Sequence, residues 1–320
     1  MLYYMNKGYK LSLVSPCYNE QDNVKLFYET VIDRIKNTIF ENSYEIIFIN
    51  DGSRDETYKR LSDIFNENKS GVKVINFLHN FGKEAAILAG LKQATGDFIC
   101  VIDSDCQQDP KYAVEMAEIL INNNEFDMVA AKPSNEKDSK LLSFFKSSFY
   151  KIINKISSVP FYRGVSDFRV FRKHICDAII SLTEHDRFSK GIFSWVCPEI
   201  KCIEYEVKKR NSGTTKWSFF KLLKYAFNGI FSFSYTPLSI SLITMLLEFI
   251  VSIVFLVLTI VNSVSYGFNL FYFVLFLLFG ISGLHSLSSW INSQYIAKIH
   301  REVSMRPLYI IKNILEGENL

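Results

Sequence analysis

The chain has 320 residues, which is enough for one large globular domain with a small appendage. It is 48% hydrophobic and 15% aromatic, which is more apolar than an ordinary soluble domain and indicates contact with a membrane. The formal net charge of only +3 gives no reason to expect a nucleic-acid partner.

The first part of the chain alternates short apolar runs with helical patterns. Five apolar runs are predicted to be buried strands: residues 11–16, 45–50, 72–77, 97–103 and 126–131. Segments between them, such as 55–66 and 83–94, have helical patterns. This alternation predicts βαβ units, and therefore an α/β domain with a mainly parallel, Rossmann-like sheet covered on both faces.

Polar residues cluster where three of these strands end, in SPCYNE (15–20), NDGS (50–53) and DSD (103–105). Ligands of such sheets bind beyond the carboxyl ends of the strands. Asp103 and Asp105 are two residues apart and can present carboxylates to Mg²⁺ or Mn²⁺, which prefer oxygen ligands. Asp51 could bind a uracil or ribose edge. The absence of GxGxxG after the first strand and of GxxxxGK[ST] disfavours dinucleotide and P-loop sites.

Two aromatic, amphipathic segments, at about 139–157 and 216–233, carry lysines as their only charged residues. Such helices suit the interface of an anionic membrane. Packing against the sheet, with the lysines facing outward, is the alternative for either segment.

Two long apolar stretches follow, at about 238–261 and 270–296. Each is longer than the about 20 residues that a helix needs to cross the core of a bilayer. The connector between them has no Lys or Arg, whereas both flanks are basic, which predicts a hairpin with both ends in the cytoplasm. The expected organisation is a cytoplasmic domain at 1–236, a transmembrane hairpin at 237–297 and a cytoplasmic tail at 298–320. The hairpin is expected to associate with copies of itself, because two spans bury little interior surface.

Seven segments carry a family resemblance: SPCYNE, NDGSRDET, NFGKEAAILAG, ATGDFICVIDSD, SDFRVF, KGIFSW and RNSGTTKWS. They resemble the polyprenyl-phosphate glycosyltransferases of glycosyltransferase family 2, and the bactoprenol glucosyltransferases in particular. Dolichol-phosphate mannose synthase is a more distant relative. The resemblance extends from about residue 11 to residue 313. It implies a GT-A fold, inversion at the anomeric carbon, a nucleoside-diphosphate sugar donor, a lipid-phosphate acceptor and a place in the bacterial inner membrane.

The resemblance also assigns site residues. The positions similar to the nucleotide-sugar site are Pro16, Tyr18, Glu20, Asp51, Lys83 and Asp103. Asp103 and Asp105 resemble the acidic motif that holds the metal, and Asp167 matches the acid often assigned as catalytic, with Asp105 as a second catalytic candidate. The acceptor phosphate is expected to meet cations of the segment before the first span, namely Lys208, Lys209, Arg210 and Lys216, beside Trp217.

Two positions depart from the family pattern. DSDCQQDP is one residue longer than the usual DxDLQDP, which leaves a role for Asp109 open. Trp195 is followed by Val196 where the family usually has glycine.

The acceptor chemistry limits what Asp167 has to do. The second pKa of a phosphate monoester is about 6, so the acceptor is already largely dianionic at neutral pH. Asp167 is therefore expected to orient the acceptor or complete the metal shell rather than remove a proton, with a local backbone cap as the alternative.

The expected reaction is transfer of a hexose, with glucose as the first candidate, from a UDP-sugar to undecaprenyl phosphate. A processive polysaccharide synthase is a rival, but the sequence has no QxxRW and only two predicted spans. A catalytically inactive nucleotide-sugar-binding protein is a second rival, and the presence of all four acids, Asp51, Asp103, Asp105 and Asp167, argues against it. No motif distinguishes glucose, galactose and their N-acetylated forms.

Overall fold

The computed structural model describes residues 8–134, 154–155, 162, 164–185, 187–206 and 270–317. The strands are β1 (Leu11–Cys17), β2 (Tyr44–Asn50), β3 (Val72–Phe77), β4 (Phe98–Val101), β5 (Met128–Pro133), β6 (Arg169–Arg172), β7 (Lys201–Tyr205) and β8 (Ile311–Leu315). The helices are α1 (Val24–Ile35), α2 (Thr57–Glu67), α3 (Lys83–Gln93), α4 (Lys111–Asn122), α5 (Lys173–Ser181), α6 (Ser189–Val196) and α7 (Leu270–Val303).

The strands form one mixed sheet in the order β7-β5-β6-β4-β1-β2-β3-β8. Strands β4, β1, β2 and β3 are parallel neighbours. Strand β6 is antiparallel to β4 and β5, and β8 is antiparallel to β3. The predicted parallel character therefore applies to the first four strands, whereas the rest of the sheet is mixed.

The central strands are apolar because both faces of the sheet are covered. Leu13 and Phe48 face the core formed with α1, α2 and α4. Val14 and Ile49 face the opposite core, formed with α3, α5 and α6. Successive side chains of a strand point to opposite faces, so a strand buried on both faces has a continuous apolar run.

Each of the five runs predicted as strands forms a strand, and the segments 55–66 and 83–94 correspond to α2 and α3. Strands β6, β7 and β8 were not among the strands predicted from the sequence. Strand β8 lies within 298–320, the segment expected to be a tail, and it extends the sheet beside β3.

Most of the predicted membrane-associated segments, including 216–233 and 238–261, lie outside the described residues. The second predicted span, 270–296, falls in α7. Within the part of the chain that the structure describes, no helix is long and apolar enough to cross a membrane.

Candidate active site

The carboxyl ends of β1, β2 and β4 lie side by side. Cys17 is in register with Asn50, and Val14 is in register with Val101. Two hydrogen bonds join the segments beyond these ends: Ser104 Oγ donates to Pro16 O at 3.1 Å, and Asn19 N donates to Ser53 Oγ at 3.0 Å. The three polar segments singled out in the sequence are therefore one surface.

Lys83 bridges two acids at this surface. It is the first residue of α3, and its Nζ lies 2.7 Å from Asp103 Oδ1 and 3.3 Å from Asp167 Oδ2. Asp103 follows β4 and Asp167 precedes β6, so three elements contribute to the cluster. Partial desolvation opposes the charged form of Lys83, but the two carboxylates outweigh it and raise its pKa.

Asp167 combines burial with a strongly positive environment. Burial would raise its pKa, but the charges of Lys83, Lys190 and Arg169 hold the pKa at about 2. Its Oδ1 is buried and accepts no hydrogen bond from any described residue. The carboxylate is therefore ionised at neutral pH, and one of its oxygens is buried without a hydrogen-bond partner among the described residues.

Glu84, next to Lys83, was not singled out in the sequence. Its carboxylate accepts hydrogen bonds from both the backbone N–H and the Oγ of Ser189, at the start of α6. Burial and the nearby charge of Asp167 raise its pKa to about 7. Glu84 lies in the recognised segment NFGKEAA, but only the fold shows that it links α3 to α6.

Asp51 is buried, and its carboxylate is bonded to the loop that precedes α3. The Oδ1 atom accepts Phe81 N at 2.7 Å, and Oδ2 accepts Gly82 N and Asn80 Nδ2, each at 2.9 Å. Burial raises its pKa, with the backbone hydrogen bonds opposing this effect. In this structure Asp51 holds the loop that places Lys83.

Asp103 and Asp105 lie in the turn after β4, and both act on the pKa of Tyr205. Burial raises the pKa of Tyr205, and the negative charges of Asp103 and Asp105 add to that effect. Asp103 N donates to Gln108 Oε1 at 3.1 Å, and Asp105 Oδ1 accepts Gln107 N at 3.1 Å. These bonds fold the DSDCQQDP segment into a compact turn in which Cys106 has a positive φ of 61°.

Asp109 lies at the other end of this turn and is buried. Its Oδ1 accepts Arg34 Nε at 3.1 Å and Lys111 N at 3.0 Å. Both bonds serve local structure, since they fix the start of α4 against α1.

The other residues expected at the donor site lie at the end of β1 and in the turn after it. Pro16 lies within β1 in register with Ile49, and Tyr18 is half-buried. The Glu20 carboxylate accepts a hydrogen bond from Asn23 Nδ2 at 2.6 Å, and Glu20 N donates to Thr57 Oγ1 at 2.9 Å.

The residues expected to bind the acceptor phosphate lie outside the described residues: Lys208, Lys209, Arg210, Lys216 and Trp217.

Two cations near Asp167 were also not identified in the sequence. Arg169 is buried, with its guanidinium carbon 4.1 Å from the centre of the Phe193 ring and Nη2 2.8 Å from Ser166 O. Lys190 lies in the first turn of α6. The segments SDFRVF and KGIFSW carry these residues, but their proximity to Asp167 depends on the packing of α6 against β6.

The sequence matches the glycosyl transferase family 2 profile over residues 12–180. It is 37% identical over 305 residues to the "Putative glycosyltransferase CsbB" of Bacillus subtilis (strain 168), covering 94% of this chain and 91% of that protein. It is 36% identical over 314 residues to the prophage bactoprenol glucosyl transferase homolog of Escherichia coli (strain K12), covering 95% of this chain and 99% of that protein.

The fold is similar to that of S. aureus TarS 1-349, with a TM-score of 0.44 and 19% identity over 61% of this chain and 58% of that one. Because the family profile matches more than half of the sequence and both relatives align along nearly all of it, the chain belongs to glycosyl transferase family 2.

Proposed function

We propose that the protein is an inverting glycosyltransferase that transfers a hexose from a UDP-sugar to undecaprenyl phosphate. Glucose is the first candidate, because relatives that are 36% identical along 95% or more of this chain are named bactoprenol glucosyl transferases. The product is a lipid-linked monosaccharide for modification of a cell-envelope glycan.

The observation that carries this proposal is the bridge formed by Lys83 between Asp103 and Asp167. A diphosphate that approaches this edge of the sheet meets a cation whose present partners are two acids. Lys83 and Asp103 are each about one-third exposed, so the pair is accessible to a ligand. The ammonium group is therefore placed to bind the donor phosphates.

Asp103 and Asp105 suit a hard divalent cation chemically, because both are carboxylates in the short turn that follows β4. The described residues contain no group of three or more His, Cys, Asp or Glu side chains that could hold a metal ion. Mg²⁺ commonly takes only one or two carboxylates from the protein and its other ligands from phosphates and water. When bound, the ion supplies positive charge to the departing diphosphate.

Asp167 orients the acceptor in this proposal. With a pKa of about 2 it is a weak base, and a dianionic phosphate does not require a strong one. The acceptor phosphate is bound by the cations Lys208, Arg210 and Lys216, which neutralise its charge. Its oxygen attacks the anomeric carbon from the face opposite the departing UDP.

The proposed location follows from the acceptor, which is a membrane lipid. We propose that the predicted spans, residues 238–261 and 270–296, anchor the protein as a hairpin in the bacterial inner membrane, with the catalytic domain and both termini in the cytoplasm. The proposal also assigns the segments 139–157 and 216–233 to the membrane interface, and self-association of the chain to the hairpin.

Label transfer from a panel of UDP-sugars tests the proposal. The full-length protein, undecaprenyl phosphate and Mg²⁺ or Mn²⁺ are incubated with each labelled donor, and label is counted in the organic phase. We expect one donor to label the lipid, and Asp103→Asn and Asp167→Asn to lower the rate by at least about 100-fold. Asp177→Asn is the matched control, since Asp177 is 59% exposed and forms an ion pair with Lys173 on the same helix, α5.

Other outcomes point elsewhere. Label in a high-molecular-weight polymer instead of the lipid would indicate a processive synthase. Tight UDP binding without transfer from any donor would indicate a nucleotide-sugar-binding protein without activity.

A further inference from the structure

Three asparagines form a hydrogen-bonded row across neighbouring strands. Asn50 on β2 is in register with Asn76 on β3, which is in register with Asn313 on β8. Asn50 Nδ2 donates to Asn76 Oδ1 at 2.8 Å, and Asn76 Nδ2 donates to Asn313 Oδ1 at 2.9 Å. We call these three residues the asparagine row. The row joins the C-terminal strand to the turn after β2.

The row holds both ends of the segment from residue 50 to residue 58. At one end, Asn50 Oδ1 accepts Ser53 N at 3.4 Å. At the other end, Asn313 Nδ2 donates to the hydroxyl of Tyr58, in the first turn of α2, at 2.6 Å. The segment between them contains Asp51, whose carboxylate holds the loop before Lys83.

Burial makes the row sensitive to the loss of a single member. Asn50 is 2% exposed and Asn76 is 5% exposed. A buried amide that loses its hydrogen-bond partner is destabilising, so the neighbours of a missing side chain rearrange to recover their hydrogen bonds. Loss of the Asn313 amide would affect Asn76 first, and through it Asn50 and the turn.

Strand β8 and its flanking residues also make contacts that do not involve the asparagine row. Leu78 N donates to Ile310 O at 3.0 Å, and the Tyr309 ring stacks on the Phe77 ring with centroids 5.0 Å apart. Lys73 Nζ lies 2.6 Å from Glu316 Oε1. The strand can therefore remain in place when only the Asn313 amide is removed, which allows the amide to be tested separately from the strand.

We propose that Asn313 is a positioning residue for the donor site, acting through Asn76 and Asn50 on the turn that carries Asp51. The proposal rests on the proposed use of a UDP-sugar donor. The C-terminal strand thus helps to shape the nucleotide site, although it lies more than 200 residues along the chain from Asn76. Loss of the Asn313 amide is expected to weaken binding of the donor and to leave binding of the lipid acceptor unchanged.

The test compares three variants of the full-length protein. Asn313→Leu has a similar size but can neither accept from Asn76 nor donate to Tyr58. Asn313→Asp can accept from both groups, since a tyrosine hydroxyl can also donate. Glu316→Ala removes the ion pair between Lys73 of β3 and the residue that directly follows β8, and it leaves the asparagine row intact.

Three quantities are measured: the Kd of UDP by calorimetry, the KM values for donor and acceptor, and amide hydrogen exchange at residues 50–58. For Asn313→Leu we expect the Kd of UDP and the donor KM to rise by about tenfold, with the acceptor KM unchanged. Exchange at residues 50–58 should become faster. Asn313→Asp and Glu316→Ala should stay within about twofold of the unmodified chain in UDP affinity.

Unchanged UDP affinity and unchanged exchange in Asn313→Leu would overturn the inference, even if its melting temperature falls. Equal losses of UDP affinity in Asn313→Leu and Glu316→Ala would also overturn it, because the strand and not the amide would then be responsible. If the unmodified protein binds no UDP, the proposed function fails on its own. Hydrogen exchange at residues 50–58 then decides whether the row holds the turn.

Discussion

Nζ of Lys83 lies 2.7 Å from Oδ1 of Asp103, and this ion pair joins the first turn of α3 to the end of β4. The two residues are 20 positions apart in the sequence. Their side chains are 39% and 32% exposed, respectively, so water screens the pair and its contribution to stability is small. The pair is therefore expected to matter more for the proposed binding of the donor than for folding.

Lys83→Met is expected to reduce sugar transfer by about 100- to 1,000-fold, because the donor phosphates lose a preorganised cation. The change also leaves Asp103 and Asp167 without the charge between them, so the pKa of Asp167 should rise. Initial rates at saturating acceptor would measure the loss.

Lys59→Met is the matched control, since Lys59 is 71% exposed on α2 and pairs with Glu56. A Lys83→Met protein with the same kcat/KM as this control would contradict a role for Lys83 in donor binding.

Glu84→Gln is expected to stabilise the protein at alkaline pH. The folded-state pKa of Glu84, about 7, is higher than the ordinary value of 4.5. The folded protein therefore binds a proton that the unfolded chain has released, and stability falls as pH rises from about 4.5 to about 7. Glutamine keeps an acceptor for Ser189 and removes this loss, giving a gain on the order of 3 kcal/mol at pH 8.

The measurement is denaturant unfolding of both proteins at pH 5 and pH 8. The difference in unfolding free energy between Glu84→Gln and the unmodified chain should be small at pH 5 and large at pH 8. Glu56→Gln, at a 59% exposed position, should show no such trend. A difference that does not depend on pH would exclude a buried, proton-binding Glu84.

Asp167→Asn should show the opposite dependence on pH. The folded-state pKa of Asp167 is about 2, below its ordinary value of 3.8, so the ionised form stabilises the folded protein. That stabilisation, about 2 kcal/mol, is present above pH 4 and is lost as pH falls through about 2. The substitution should therefore destabilise the protein at pH 6 and have little effect near pH 2.

Unfolding free energies of the unmodified chain, Asp167→Asn and Asp177→Asn across this range provide the check. If Asp177→Asn showed the same pH dependence, the effect would be one of net charge and not of the cluster around Asp167.

Gly52→Ala is expected to lower the stability of the folded protein more than Gly82→Ala does. Both glycines have positive φ, 62° and 98° respectively, so alanine is strained at either position by about 1–2 kcal/mol. At Gly52 a Cβ would also lie 2.3 Å from the backbone carbon of His79, whereas at Gly82 it would meet nothing within 4 Å. Thermal unfolding should show a clearly larger fall in melting temperature for Gly52→Ala than for Gly82→Ala. Gly52→Ala should also bind UDP more weakly.

Equal falls in the melting temperature of the two variants would show that backbone strain alone matters at these positions. The close approach of the turn after β2 to the loop at His79 would then have no energetic role.

The central strands could be predicted because each needs only a local pattern. LSLVSP and EIIFIN are short apolar runs, and each becomes a strand buried on both faces. Their polar ends could also be located, since the carboxyl ends of parallel strands meet at one edge. The family motifs added Lys83 and Asp167 as site candidates.

Strands β6 and β8 could not be predicted in the same way, because their direction depends on partners that are remote in the sequence. RVFR pairs antiparallel with β4, and IKNIL pairs antiparallel with β3 from the far end of the chain. Neither segment has a local pattern that specifies its neighbour. The mixed character of the sheet was therefore not predictable from the alternation of strands and helices.

The sequence by itself determined the family, the central parallel strands and the acids at their ends, because these depend on local periodicity and short motifs. Only the tertiary structure decided that Lys83 joins Asp103 to Asp167, that Glu84 binds the start of α6, and that Asn313 completes a row with Asn76 and Asn50. These contacts join residues from 20 to 237 positions apart. The energy of a buried polar contact depends on which groups the packed elements bring within hydrogen-bonding distance, and local sequence does not encode that distance.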